Sequence, residues 1–209
     1  MWGSRLARGM LLLLAMLISA AALAQKNEVS GLIGRTFIAD HGIKGATFFP
    51  NFVSSGNGLT FEGNYARRIK DKGFYALSLE VPVVINIDED LNTGANLIPK
   101  DYKSYFITPS ARVSVFPRSV LSPWASLGGG YGRFNESSTL NEDTPNPGSR
   151  GTSTGLLQIG IGLDVRFMGQ LSARLAARDF YSGLPALNVD IGKSRQHNIF
   201  VGGGLMYRF

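Results

Sequence analysis

The chain has no cysteine and only two histidines, His41 and His197, among 209 residues. Without cysteine neither a disulfide framework nor a lipoprotein anchor is available. Charge of one sign is scarce too: 21 Lys and Arg stand against 15 Asp and Glu, a net charge of +6. So weak an excess argues against nucleic-acid binding. Beyond residue 24 there is no long apolar run. The longest, Leu79 to Ile87, is interrupted by Glu80, Pro82 and Asn86, so no later segment reads as a spanning helix. Glycine, by contrast, is abundant at 26 residues, without a collagen period, and clusters inside alternating segments where it suggests close strand packing.

At the amino end Arg5 and Arg8 precede an apolar run from Met10 to Ala24, closing on Ala22-Leu23-Ala24. A basic segment, a short apolar core and an A-x-A site define a secretory signal peptide, and the run is shorter than the roughly 20 residues of a spanning helix. Residues 1–24 are therefore expected to be cleaved, leaving residues 25–209 as one domain.

Period-2 alternation marks eight segments, near 28–38, 58–68, 74–86, 104–116, 121–134, 153–167, 171–181 and 196–209. The third is the clearest: Tyr75, Leu77, Leu79, Val81, Val83 and Ile85 alternate with Ala76, Ser78, Glu80, Pro82, Val84 and Asn86. In the sixth, Leu157, Ile159, Ile161, Leu163 and Val165 share one face while Gln158, Gly160, Gly162, Asp164 and Arg166 share the other. In the first, Gly31-Leu32-Ile33-Gly34 blurs the faces. Connections alternate between long and short, with short turns at Asp71-Lys72-Gly73, Pro117-Arg118-Ser119 and Met168-Gly169-Gln170. That rhythm, which a soluble sandwich would have no reason to keep, predicts an all-β fold: an eight-stranded antiparallel up-and-down transmembrane β-barrel. Short turns and both termini would face the periplasm, and the long loops the cell exterior.

Four stretches carry a family resemblance: Pro123-Trp-Ala-Ser-Leu-Gly-Gly-Gly-Tyr-Gly132, Gly160-Ile-Gly-Leu-Asp-Val-Arg-Phe167, Arg178-Asp-Phe-Tyr-Ser-Gly183 and the ending Val201-Gly-Gly-Gly-Leu-Met-Tyr-Arg-Phe209. With them the chain resembles the small OmpA/OmpX-type eight-stranded outer-membrane barrels over residues 25–209. The resemblance implies an outer-membrane location, a monomer, and contact with outer-membrane lipid and lipopolysaccharide. It also implies handling by the barrel-assembly machinery, with Leu205, Tyr207 and Phe209 as the assembly signal.

An eight-stranded barrel is narrow enough for interior side chains to fill it. Projecting the alternation inward collects Thr60, Asn64, Ser78, Thr108, Ser110, Ser126 and Gln158, together with the charges Glu62, Glu80, Arg112, Asp164, Arg166, Arg174 and Arg178. Charges in so confined a space must pair. A turn at Met168 to Gln170 sets Phe167 against Leu171 and Asp164 against Arg174. The second hairpin brings Glu62 and Glu80 together or one pair apart, in need of a cation such as Arg112 or Arg178. These charges are read as a structural ion network; a gated solute path is the alternative.

No catalytic, cofactor or metal site is expected. His197 lies near the outer rim but is followed by Asn198-Ile199, unlike the His-x-Ser pattern of lipid A deacylases, and both histidines read as exposed. Asp88-Glu-Asp-Leu-Asn-Thr-Gly94 departs from a calcium loop in its glycine position and by ending on Pro99, and reads as a solvated acidic loop. In the outer loops Phe48-Phe49-Pro50-Asn51-Phe52 forms an apolar knot, and Asn135 to Gly151 reads as polar and mobile. Lys44, Lys100, Lys103, Arg150, Lys193 and Arg195 fall on the outer side, where lipopolysaccharide phosphates would attract them. The sequence thus points to a non-enzymatic outer-membrane barrel with a structural or surface-interaction role. A narrow pore and a lipid-modifying enzyme are the alternatives.

Overall fold

In the computed structural model, which describes residues 26–45, 52–93 and 96–209, every regular element is a strand. They are β1 (Asn27–Phe37), β2 (His41–Gly42), β3 (Phe52–Ser55), β4 (Asn57–Asp71), β5 (Tyr75–Asn92), β6 (Asp101–Ile107), β7 (Ser110–Val115), β8 (Leu121–Glu136), β9 (Thr152–Met168), β10 (Leu171–Gly183) and β11 (Arg195–Arg208). Residues 1–24, expected to be a cleaved signal peptide, residues 48–51 of the aromatic knot and Gly94 lie outside the described residues; Phe52, the last of the knot, opens β3 and is exposed.

Each long strand pairs antiparallel with its neighbour, and β1 pairs with β11, placing Glu28 opposite Arg208 and Gly31 opposite Leu205. Asn27 and Phe209 exchange two backbone hydrogen bonds of 2.9 Å across this seam. The sheet closes into a ring of eight staves, the fold anticipated from the alternation. One stave is made of β6 and β7 in series. Pro109 has no N–H to donate and interrupts the expected 104–116 strand, while Thr108 still donates to the Pro82 carbonyl at 3.2 Å.

The strands are longer on the loop side than the alternation suggested. β5 runs to Asn92, so Asp88, Glu89 and Asp90 belong to a strand rather than to a solvated acidic loop. A register shift between Asn86 and Glu89 turns Glu89 into the interior, where it is fully buried. The third turn differs by one residue. Leu171 pairs with Met168, and Phe167 is the extra residue of a bulge that restores the expected register from Ser172 opposite Arg166 onward. The second hairpin is also offset: Glu62 faces Val84 and Glu80 faces Ala66, so the two carboxylates sit on inward-facing pairs with the Asn64–Pro82 pair between them.

Outward positions are apolar around the ring, among them Val29, Ile33, Leu79, Val83, Val113, Leu127, Ile159, Ile161, Leu175, Val201 and Leu205. Exposed aromatics flank this band on both sides. Tyr65, Phe74, Tyr75, Phe116, Phe167 and Tyr207 lie toward the short-turn end; Phe37, Tyr105, Tyr131 and Tyr181 lie toward the loops. An apolar belt between aromatic girdles is what a hydrocarbon layer requires of a barrel exterior. Buried residues occupy the opposite face of every stave. Because ring closure leaves no strand edge from which unfolding can spread, we expect the folded protein to survive unheated dodecyl sulfate. It should shift mobility only on boiling; one band indifferent to heating would contradict closure.

The lumen ion network as candidate functional site

Period-2 geometry carries polar side chains inward from every stave, and their charges meet in two tiers. In the middle tier Arg178 spans the two carboxylates of the second hairpin, donating from Nε to Glu62 at 2.9 Å and from Nη1 to Glu80 at 2.8 Å. The cation required by that pair is therefore Arg178, reached from across the ring. Gln158 bonds to Ser110 and Ser126 beside it, and Asn64 donates to Glu80 at 3.0 Å. In the lower tier Arg174 grips Asp164 bidentately, Nε to Oδ1 at 2.7 Å and Nη2 to Oδ2 at 2.8 Å. Two parallel charge-assisted bonds are the strongest form such a pair takes.

The centre of the lower tier is Glu28, which sequence reasoning missed. It is 2% exposed and receives four guanidinium groups: Arg68 at 3.1 Å, Arg208 at 3.0 Å, Arg174 at 3.6 Å and Arg112 in direct contact. Arg112 also reaches Glu80 at 3.6 Å, so the two tiers form one connected network. Glu28 lies on the inward face of β1 with Ser30, Leu32 and Thr36, all buried, while Val29, Ile33 and Phe37 face out. The alternation of Val29, Ile33 and Phe37 would have exposed it, had Leu32 not blurred the pattern.

Trp124 is packed inside this cluster rather than on the lipid face. Its indole N–H donates to Asp164 at 3.2 Å, and the guanidinium carbons of Arg178, Arg174 and Arg112 lie 5.0, 5.5 and 5.9 Å from its ring centroid. The negative faces of the ring add cation–π attraction where water is excluded. Gly162, opposite Trp124 in the ladder, makes this seat possible, since a Cβ there would collide with the indole and the Leu175 carbonyl.

Arg166 departs from its expected role. It sits at the short-turn rim and donates to the carbonyls of Arg118 at 3.0 Å and Pro117 at 2.8 Å, not to a carboxylate. Leu205 and Tyr207 face outward on β11, and the ring of Phe209 stacks on Tyr207 with centroids 5.9 Å apart.

Above the ion tiers the lumen turns apolar. Phe106, Phe134, Phe180, Phe200 and Tyr102 project from the staves. Val53 of β3, Ile98 from the β5–β6 loop and Leu187 and Ile191 from the β10–β11 loop fold over them. The Asn135–Gly151 segment is bonded in place, not free: Lys100 pairs with Asp143 at 2.8 Å, and Asn146 donates to the Ser137 carbonyl at 2.9 Å. His41 is buried against this assembly, contrary to the exposed reading, and burial lowers its pKa. His197 is exposed, its Nδ1 2.6 Å from Asp179 and its ring beside Tyr181.

Among the described residues Glu89 and Glu136 are buried carboxylates without an arginine partner, and Glu89 is the more deeply buried. Asn86 donates to it at 2.8 Å and the Gly58 amide at 3.2 Å, and burial pushes its pKa up to about 7.

Comparison with solved structures agrees with this architecture. The Neisserial surface protein A structure superposes with a TM-score of 0.52 at 14% identity, covering 88% of this chain and 97% of that one. The outer-membrane protein OprG from Pseudomonas aeruginosa superposes with a TM-score of 0.56 at 12% identity, over 89% and 96%. The N-terminal β-barrel domain of Pseudomonas aeruginosa OprF gives 0.50 at 13% identity, over 88% and 98%. No family model and no curated protein matches the sequence. The chain thus has the fold of the small eight-stranded outer-membrane barrels of OmpA/OmpX type. At such identities the likeness is one of fold.

Two outcomes follow for the interior. Asp164→Ala and Arg174→Ala should each lose about 3–5 kcal/mol of unfolding free energy, because each strands a buried ion. The double variant should lose less than the sum; strict additivity in urea titrations would show that the pair does not interact. The second outcome concerns Glu89. A carboxyl whose folded pKa is raised stabilises fully below its unfolded value of 4.5 and loses that contribution as pH rises through about 7. Glu89→Gln should therefore exceed the wild type in stability at pH 8, by on the order of 3 kcal/mol. The gain should vanish near pH 4, and a gain that persists there would refute the assignment.

Proposed function

We propose that the protein is a non-enzymatic integral outer-membrane barrel that acts as a sealed structural element and through the surface of its long loops. The carrying observation is the filled interior. Two tiers of paired charge and an apolar plug built partly from loop residues occupy the lumen in series. A solute path would have to break ion pairs and displace packed aromatic rings together, which is unfavourable for a pore. The reading puts the short turns and both termini in the periplasm and the loops outside.

The loops then present a structured basic surface. Lys44, Lys103, Arg150, Lys193 and Arg195 lie on or beside the loop-side strand ends, with the Arg195 guanidinium 5.5 Å from the Tyr181 ring centroid. Such a rim suits the phosphates of lipopolysaccharide, the partner we propose for it, with the barrel acting as a monomer. We assign Leu205, Tyr207 and Phe209 to recognition by the barrel-assembly machinery. The lipid-modifying alternative is disfavoured by the surroundings of His197. Its groove is lined by Leu157, Ile159, Asp179 and Tyr181, which supply a carboxylate to orient the imidazole but no serine or threonine nucleophile.

Planar-bilayer recording tests the sealed lumen. Purified protein should insert without discrete conductance steps at neutral pH. Reproducible single-channel openings that respond to Arg178→Gln would establish the pore reading instead.

A further inference from the structure

The lower ion tier ends in an imbalance of charge. At the short-turn mouth a cavity of about 410 Å³ is ringed by six cations, Lys26, Arg68, Lys70, Arg118, Arg166 and Arg208, and one carboxylate, Asp71. They arrive from separate parts of the ring: ahead of β1, the end of β4, the β7–β8 turn, and the ends of β9 and β11. Asp71 is already engaged, accepting the Gly73 amide at 2.8 Å and meeting Arg68 at 3.2 Å and Arg118 at 3.4 Å. Glu28, just inside, is shared among Arg68, Arg112, Arg174 and Arg208. Among the described residues no carboxylate pairs with Arg166, Lys26 or Lys70, and the buried Nε of Arg68 makes no hydrogen bond.

We propose that this mouth is a binding site for a phosphate-bearing anion. Like charges crowded at a partly desolvated rim repel each other, and a bound dianion turns that repulsion into attraction. Guanidinium groups suit phosphate in particular, because their planar forks offer paired N–H donors to tetrahedrally disposed oxygens. Arg166 is held ready for this: its bonds to the Pro117 and Arg118 carbonyls fix the plane of its guanidinium without neutralising it. The anion would be either a soluble phosphate compound or the phosphate of a lipid headgroup in the adjoining leaflet. The site does not depend on which side of the membrane the mouth faces, so it stands or falls separately from the function proposed above.

Calorimetric titration of pyrophosphate into the chain from residue 25 to 209, folded in neutral phosphatidylcholine nanodiscs, tests the proposal. Saturable single-site binding is expected. Arg118→Gln and Arg166→Gln should each weaken it about tenfold, the scale of one lost charge-assisted contact. The loop-end variants Lys193→Gln and Arg195→Gln should leave it unchanged. Arg118 is exposed on a turn, so its variant remains informative even if the Arg166 variant fails to fold. Absence of saturable binding, or equal weakening by the loop-end variants, would overturn the site. Repeating the titration in nanodiscs containing phosphatidylglycerol separates the sources: competition assigns the mouth to a lipid headgroup, and an unchanged affinity assigns it to a soluble anion.

Discussion

Everything inside this barrel depends on keeping ions out of water in pairs. Eight staves leave a lumen that side chains can fill, and this sequence fills its middle with arginines and carboxylates. An unpaired ion there would cost several kcal/mol, so each guanidinium must find an oxygen and each carboxylate a donor. Glu28 meets that demand for four arginines at once. It also faces Arg208 across the β1–β11 seam, so ring closure and neutralisation of the lumen are one event.

The rest of the interior is arranged around that network. Gly162 makes room for Trp124, whose ring lies among three guanidinium groups while its N–H binds Asp164. Above it the staves change from polar to aromatic, and the long connections tuck Val53, Ile98, Leu187 and Ile191 over the opening. Outside, aliphatic positions form a continuous belt. The interior is thus held by charge and the exterior is apolar, the reverse of a soluble barrel.

Much of this was legible in the sequence because alternation and turn length fix register wherever the faces differ sharply. The β9–β10 hairpin is the clearest instance: a turn at Gly169 and clean alternation put Asp164 against Arg174, and the bulge at Phe167 moved only the pair beside the turn. Where the faces are alike the reading failed. Gly31 to Gly34 hid the inward face of β1 and with it Glu28. The run Asp88-Glu89-Asp90 looked like loop because a strand beyond the hydrocarbon needs no apolar outer face. Arg166 alternates inward correctly, yet its position along the strand puts it at the rim, a distance along the barrel axis that periodicity does not encode. His41 is buried where β2 pairs with β3 and the Lys44 amide meets the Asp190 carbonyl of the β10–β11 loop, a tertiary event without a local signature.

The most direct measurement of the account is the unfolding free energy of Glu28→Gln in lipid vesicles, compared with the wild type at low salt and at about 1 M salt. A buried hub predicts a loss of about 3–5 kcal/mol that salt barely changes, since ions cannot screen charges they cannot reach. A loss of about 1 kcal/mol or less, shrinking further with salt, is the behaviour of an exposed pair and would contradict it.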